Sequence, residues 1–440
     1  MTIYNLISFG GIFVLAFFAW LCSGDRKVVN WRAVLFGIGL QLLFAFFIFV
    51  VPVGSKVFLF MNDAVLKVLN SAQAGLKFLF GRLALAPGTT NEAGETSLGY
   101  FLIFQGLPTI VFFAALMSAL YYLRVMPFFI RVFAKLFSKS MRISGAEALS
   151  VSANIFVGVE SALVVRPYLA AMTESELATI ITAGMATVAS TVLGVYVTFL
   201  QRLLPNIAGH LISASVIAIP ASVVMSKLII PETGKPVTLG TDAEITYERE
   251  SNLMEAVING ANSGLKLLGG IVTLLLAFLG LLALLDLVLG FAGGGLNKLL
   301  GLHFEWSLNS LLGYVFYPFT AVLGIPAADI LPVAKVLGQR AVATEVAGYQ
   351  QLAAMMARSE LASPRSAIIA SYALCGFAHV ASVAIFVGGT GALVPSRLKD
   401  LSRLGFKCLL AATLATLMTA AVAGTFCTGT TILLGSNLGF

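Results

Sequence analysis

The chain has 440 residues, of which 59% are hydrophobic and only 11% charged, with a mean hydropathy of +0.96. A soluble globular chain carries about 25% charged residues, so this composition excludes one. The net charge of +7 reads as basic loop bias on one side of a membrane, and no basic run interleaved with aromatics points to a nucleic-acid polymer as partner.

Several apolar runs reach about 20 residues, enough to cross about 30 Å of hydrocarbon. They predict spans at 3–22, 33–53, 100–123, 177–200, 207–229, 266–290, 366–393 and 406–428. The runs are continuous rather than alternating, which argues against a β-barrel. No basic residue precedes the first run, while Arg26, Lys27 and Arg32 follow it, which fits a retained span with its N-terminus outside. Segment 55–82 carries Lys56, Lys67, Lys77 and Arg82 among apolar residues and predicts a helix flat on the outer surface. Segment 126–141 predicts an inner counterpart, and 296–312 a further outer one.

Two half-apolar, Gly-interrupted regions, 143–170 and 316–362, read as re-entrant helical hairpins. Thr173-Glu174-Ser175-Glu176 reads as a capping box, and the hydrophilic stretch 231–252 as a cytoplasmic bridge between two halves. Basic segments after spans one and three and before span eight fall on one side if the hairpins do not cross. The first hairpin then enters from the cytoplasm and the second from outside, as an inverted-topology repeat requires. The expected fold is an all-α integral membrane protein of about eight transmembrane helices plus two opposed re-entrant hairpins. It divides into 1–99 (spans and outer interfacial helix), 100–142 (span and inner interfacial helix), 143–230 (repeat one), 231–310 (loop and span) and 311–440 (repeat two).

Each hairpin carries one carboxylate, Glu160 and Glu345. A charge at membrane depth costs about 2.5–3.5 kcal/mol on insertion scales and is usually kept for a ligand, ion or proton. Around them lie Ser152, Asn154, Gly158 and Ser161, then Thr182, Thr187, Ser190 and Thr191 in the fourth span. Thr344, Gly348 and Tyr349 flank Glu345, and Ser371, Tyr372, His379 and Ser382 sit in the seventh span. Plain structural roles compete. Glu160 could pair with Arg340 or Arg166, and Glu345 with Lys335 or Arg340. His379 could only pack, Thr187 and Ser190 could bond their own helix, and Asn154 could stitch helices. Cys22, Cys375, Cys408 and Cys427 read as packing residues, and His210, His303 and His379 are too separated for a zinc motif. Walker A, GxGxxG, HExxH and GxSxG motifs are missing, so an enzyme is not expected, and the GGTG at Gly388–Gly391 reads as a bend.

Four blocks resemble the concentrative nucleoside transporter family, in family order: SGAEALSVSANIFVG with LVVRPYLAAMTESELATIITAGMATVASTVLG, NGANSGLKLLGGI, GQRAVATEVAGY, and SYALCGFAHVASVAIFVGGTGALVPSRLKDLSRLG. The resemblance covers about 143–425. It implies a homotrimer in a lipid bilayer, the bacterial inner membrane. Each protomer has a scaffold and a mobile transport domain, with substrate and one cation held between the hairpin tips and carried by an elevator-like movement. No cofactor is implied. Asn154, the Val157 carbonyl, the Thr187 hydroxyl and the Val188 carbonyl match the family's cation site, with sodium the first choice and a proton the second.

The substrate motifs depart from the family's pattern. The tip usually reads G-Q-T-E-A-P and here reads Gly158-Val159-Glu160-Ser161-Ala162. In the G-x-K-x-x-x-N-E-F motif, Arg340 replaces Lys, Thr344 replaces Asn and Val346 replaces Phe. His379 stands where the family has a ribose-binding Asn, and Ser382 keeps its place three residues on. The resemblance therefore implies a substrate site in which Glu345 and Ser382 are the candidate sugar-hydroxyl partners and Glu160 stays near the base, with Ser161, Thr344 and His379 also in the site. A site without the base-reading amide tolerates a different ring. The expected activity is cation-coupled symport of nucleosides or related polar heterocycles. The alternatives are another small polar substrate, proton coupling, or a ligand-binding sensor that does not transport.

Overall fold

A computed structural model describes residues 2–91, 94–241, 243–245, 250–301 and 304–429. His303 and parts of 231–252 and 296–312 lie outside the described residues. Within them all regular structure is helical, with one isolated bridge between Thr90 and Thr96. The N-terminal part contains α1 (Ile3–Leu21), α2 (Trp31–Phe49), α3 (Pro52–Phe80), α4 (Leu102–Gln105), α5 (Thr109–Tyr122) and α6 (Val125–Met141). Next come α7 (Gly145–Ala153), a 3-10 stretch (Val159–Ala171), α8 (Glu174–Ala186), α9 (Ser190–Leu200) and α10 (Ile207–Ile229). After α11 (Leu253–Leu300) and α12 (Leu308–Ala321) come α13 (Ala327–Val342), α14 (Glu345–Ala357), α15 (Pro364–Leu374), α16 (Val380–Leu393) and α17 (Leu398–Phe426). Seven helical stretches among the described residues are long and apolar enough to cross a membrane, and the protein is a multi-pass membrane protein.

Several of the predicted elements need correction. Span 100–123 is α4 and α5 with a turn at Gly106–Pro108 between them, since Pro108 cannot donate an amide to a continuous helix. Span 177–200 is two helices separated at Thr187–Ala189, and span 366–393 is two helices separated at Cys375–His379. These two breaks meet: a Cβ on Gly376 would lie 2.9 Å from the Ala186 carbonyl oxygen and 2.7 Å from Thr416 Cγ2, so only glycine allows this approach. Span 266–290 is part of a 48-residue helix whose N-terminus is capped by the Asn252 side chain accepting the Glu255 N–H. Segment 296–312 is not one surface helix: its first residues continue α11, and α12 begins at Leu308, whose N–H donates to Asp286 Oδ1 at 2.6 Å. The return limb of the first hairpin is a 3-10 stretch containing Pro167, where the second hairpin has the regular helix α14.

Helices α8, α10, α15 and α17 form the buried centre, packed with Ala, Val, Ile and Leu. In contrast α11 lies along α5, where Gly260 and Gly264 let the helices touch, and it exposes Leu276, Leu287 and Phe291. An ion pair lies under the first hairpin: Lys227 Nζ is 2.8 Å from Glu147 Oε1, both side chains being buried, and it also donates to Ser175 Oγ at 3.1 Å. It ties α7 to the start of α8 and the end of α10. The capping box at Thr173 and Glu176 is present, and the four cysteines are free.

Candidate functional site

The turns of both hairpins face one cavity of about 460 Å³. Gly158 and Glu160 come from the first hairpin, Thr344 and Glu345 from the second, and His379 from the break before α16. Lys266, Gly270 and Ile271 of α11 form the facing wall, with Thr191 and Val192 of α9 and Phe386 of α16 completing it. The volume lies within the roughly 300–1,000 Å³ of small-molecule sites. A second cavity, about 610 Å³, lies away from the hairpin turns between α3, the ends of α9 and α14, and residues 84–90, and its wall has no carboxylate.

Local capping sets the polar end. Thr344 Oγ1 accepts the Ala347 N–H at 3.4 Å, which starts α14 with Glu345 in its first turn. His379 caps α16: its Nδ1 accepts the Ser382 N–H at 3.3 Å, and Ser382 Oγ donates to the His379 carbonyl at 2.6 Å. Because Nδ1 is an acceptor, the network assigns the ring proton to Nε2. Nε2 lies 3.2 Å from Glu345 Oε2. Tyr196 of α9 donates its hydroxyl to Glu345 Oε1 at 2.8 Å and stacks on Tyr349, ring centroids 4.5 Å apart.

Glu345 makes no direct ion pair with either cation weighed from the sequence. Lys335 pairs with Glu305 at 3.6 Å, and Arg340 donates Nη1 to the Ala373 carbonyl at 2.6 Å and to Thr416 Oγ1 at 2.9 Å. Glu160 is exposed and has no hydrogen-bond or ion-pair partner among the described residues. Ser161 and Ser382 are buried and are not part of the cavity wall; Ser161 donates its N–H to the Gly158 carbonyl at 3.0 Å. Sequence reasoning missed Tyr196 and Lys266. The second carried a signal, an ammonium inside a long apolar helix; a tyrosine in an apolar span carries none.

Beside the first hairpin, Asn154 Nδ2 donates to the Ser150 carbonyl at 3.1 Å, while its buried Oδ1 has no partner among the described residues. Thr187 donates its hydroxyl to the Ala183 carbonyl at 2.9 Å, which leaves the oxygen lone pairs available. The Ser190 N–H donates to the Phe156 carbonyl at 3.2 Å and holds the stretch around Val157 against the one containing Thr187 and Val188. An orphaned amide oxygen beside a helix break suits a monovalent cation. No cluster of three or more His, Cys, Asp or Glu suited to a transition metal occurs among the described residues.

Two broken helices and two hairpin turns converging on one mostly apolar pocket with a few polar groups define a secondary-transporter type of membrane protein. The sequence matches the families described as Na+ dependent nucleoside transporter C-terminus over residues 210–424, Na+ dependent nucleoside transporter N-terminus over 10–83, and nucleoside recognition over 103–203. The chain belongs to the concentrative nucleoside transporter family. It is 34% identical to the nucleoside permease NupC of Helicobacter pylori over 97% of this chain and 99% of that protein. It is 37% identical to the uncharacterized transporter YutK of Bacillus subtilis over 95% of this chain and 98% of that protein. Mouse solute carrier family 28 member 3 is 36% identical over 96% of this chain, which spans only 58% of that longer protein. A structure of CNTnw in an inward-facing substrate-bound state superposes with a TM-score of 0.86 at 34% identity, covering 96% of this chain and 98% of that one. These named relatives are transporters, not enzymes.

Proposed function

We propose that the protein is a sodium-coupled symporter that carries nucleosides, or closely related polar heterocycles, across a bacterial inner membrane. The observation that carries this reading is the convergence of both hairpin turns on one cavity, beside a buried acceptor, Asn154 Oδ1, with no protein partner. Sodium at Asn154, Val157, Thr187 and Val188 would fix the first hairpin in the shape that the substrate needs, so the two ligands bind with positive coupling. Glu345, Thr344 and His379 take the sugar end, with Ser382 holding His379 in place, and Glu160, with Ser161 behind it, takes the base end. Segments 143–230 and 311–440 act as the moving repeats, and 1–99, 100–142 and 231–310 supply the flanking spans and loop. The assembly is a homotrimer working by an elevator-like movement.

The test is radiolabelled nucleoside uptake into proteoliposomes with and without an inward sodium gradient. Sodium-dependent accumulation supports the reading, and ligand binding without accumulation would make the protein a sensor. The buried His379–Glu345 contact favours a second reading, proton coupling through that pair. A pH gradient replacing the sodium gradient in the same assay separates the two.

A further inference from the structure

Two charges in the cavity wall are left over from the arrangement above. Lys266 of α11 and Glu160 of the first hairpin both line the cavity and are exposed, and neither has a hydrogen-bond or ion-pair partner among the described residues. At the other end Thr344 and His379 cap helices, and Glu345 accepts from Tyr196 through Oε1 and has His379 Nε2 3.2 Å from Oε2. Lys266 is the sole charged residue of α11 between Glu255 and Asp286. Lys266, Gly270, Thr273 and Leu274 lie on one helical stripe, and all four belong to the cavity wall. A lysine at the edge of a span often reaches back to water; this one lines the cavity that both hairpin carboxylates line.

An ammonium can only donate and a carboxylate can only accept. A neutral group that meets both must therefore present an acceptor to Lys266 and a donor to Glu160. A nucleobase lactam, with C=O next to N–H, does this in the correct sense. Its oxygen carries more negative charge than a ring nitrogen, and its N–H is more acidic than an exocyclic amine. Uracil, hypoxanthine and guanine contain this pair; cytosine and adenine offer an amine beside a ring nitrogen instead. Both contacts to a lactam are charge-assisted, the stronger class of hydrogen bond. A ligand that serves only one partner leaves the other charge unpaired, which is how polar sites reject analogues.

We propose that Lys266 is a specificity residue: with Glu160 it selects nucleosides whose base carries a lactam. This rests on the nucleoside reading above. The experiment measures binding of uridine, inosine, cytidine and adenosine to the purified full-length protein in sodium, for the wild type, Lys266→Met and Lys266→Arg. The wild type should bind uridine and inosine about tenfold more tightly than the other two, a modest value for a matched hydrogen-bonding pair. Lys266→Met should bring the four close to parity by weakening the lactam ligands, and Lys266→Arg should keep the preference. A wild type without the preference, a Met variant that retains it, or a folded Met variant that binds none of the four overturns the proposal. If the wild type binds none of the four, the nucleoside reading itself fails. Size-exclusion elution of each variant reports folding.

Discussion

His379 Nε2 lies 3.2 Å from Glu345 Oε2, which joins the residue that caps α16 to the first residue of α14. Both are placed by helix starts, so one contact holds together two interruptions of the helical backbone. Tyr196 adds a third interrupted element, α9, through the other carboxylate oxygen. Tyr196 thus anchors one oxygen of Glu345 before any ligand arrives, while the buried Oε2 makes no hydrogen bond among the described residues.

Replacing Glu345 by Gln should lower nucleoside affinity by about tenfold to a hundredfold, the scale of a hydrogen bond to a charged group. The protein should still elute as a monodisperse species. Uptake at the wild-type level would remove Glu345 from the substrate site.

The two roles of His379 can be separated. Asn can accept the Ser382 N–H as a cap and Ala cannot, so His379→Ala should lose about 1 kcal/mol of stability, while His379→Asn should keep most of it. Thermal unfolding in detergent reads the difference. Equal loss in both variants would show that the Glu345 contact, not the cap, sets the stability there.

Asn154→Ala removes the orphaned oxygen, and Thr187→Ala removes the neighbouring hydroxyl. Each should raise the sodium concentration for half-maximal uptake by about tenfold, the scale of one lost charge-assisted contact. Uptake that keeps its sodium dependence in both variants would place the cation elsewhere.

Removing one partner of the buried pair should be severe. Lys227→Met leaves Glu147 buried without its cation and should cost about 3–5 kcal/mol, whereas Lys227→Met with Glu147→Leu should recover much of that. Unfolding midpoints of the three proteins test it; a double variant no better than the single one would show that the rest of the network matters more.

The membrane class, the hairpins and both carboxylates were legible because they rest on apolar run length and on charges where charges are costly. The breaks inside two spans were not. Thr187-Val188-Ala189 contains neither Gly nor Pro, and hydropathy reports removal from water rather than where a helix ends. That break is visible only in three dimensions, where Gly376 packs against Ala186. The reach of α11 was hidden for the opposite reason: its first turns, with Asn259, Asn262 and Ser263, have the composition of a loop but are helical. Lys266 consequently passed for the boundary of a span. Tyr196, an aromatic in an apolar run, gains meaning only from the carboxylate that α14 brings to it.

The 48 residues of α11 give a helix about 72 Å long at about 1.5 Å per residue. Its charge-free portion, residues 267–285, is only about 28 Å by the same rise, close to the thickness of a hydrocarbon core of about 30 Å. A helix this much longer than the hydrocarbon core leans or projects beyond it, and the thickness of the bilayer biases which. Since the same helix forms a wall of the cavity, its lean sets where Lys266 stands against the hairpins. Acyl-chain length then becomes a variable of ligand recognition as well as of insertion.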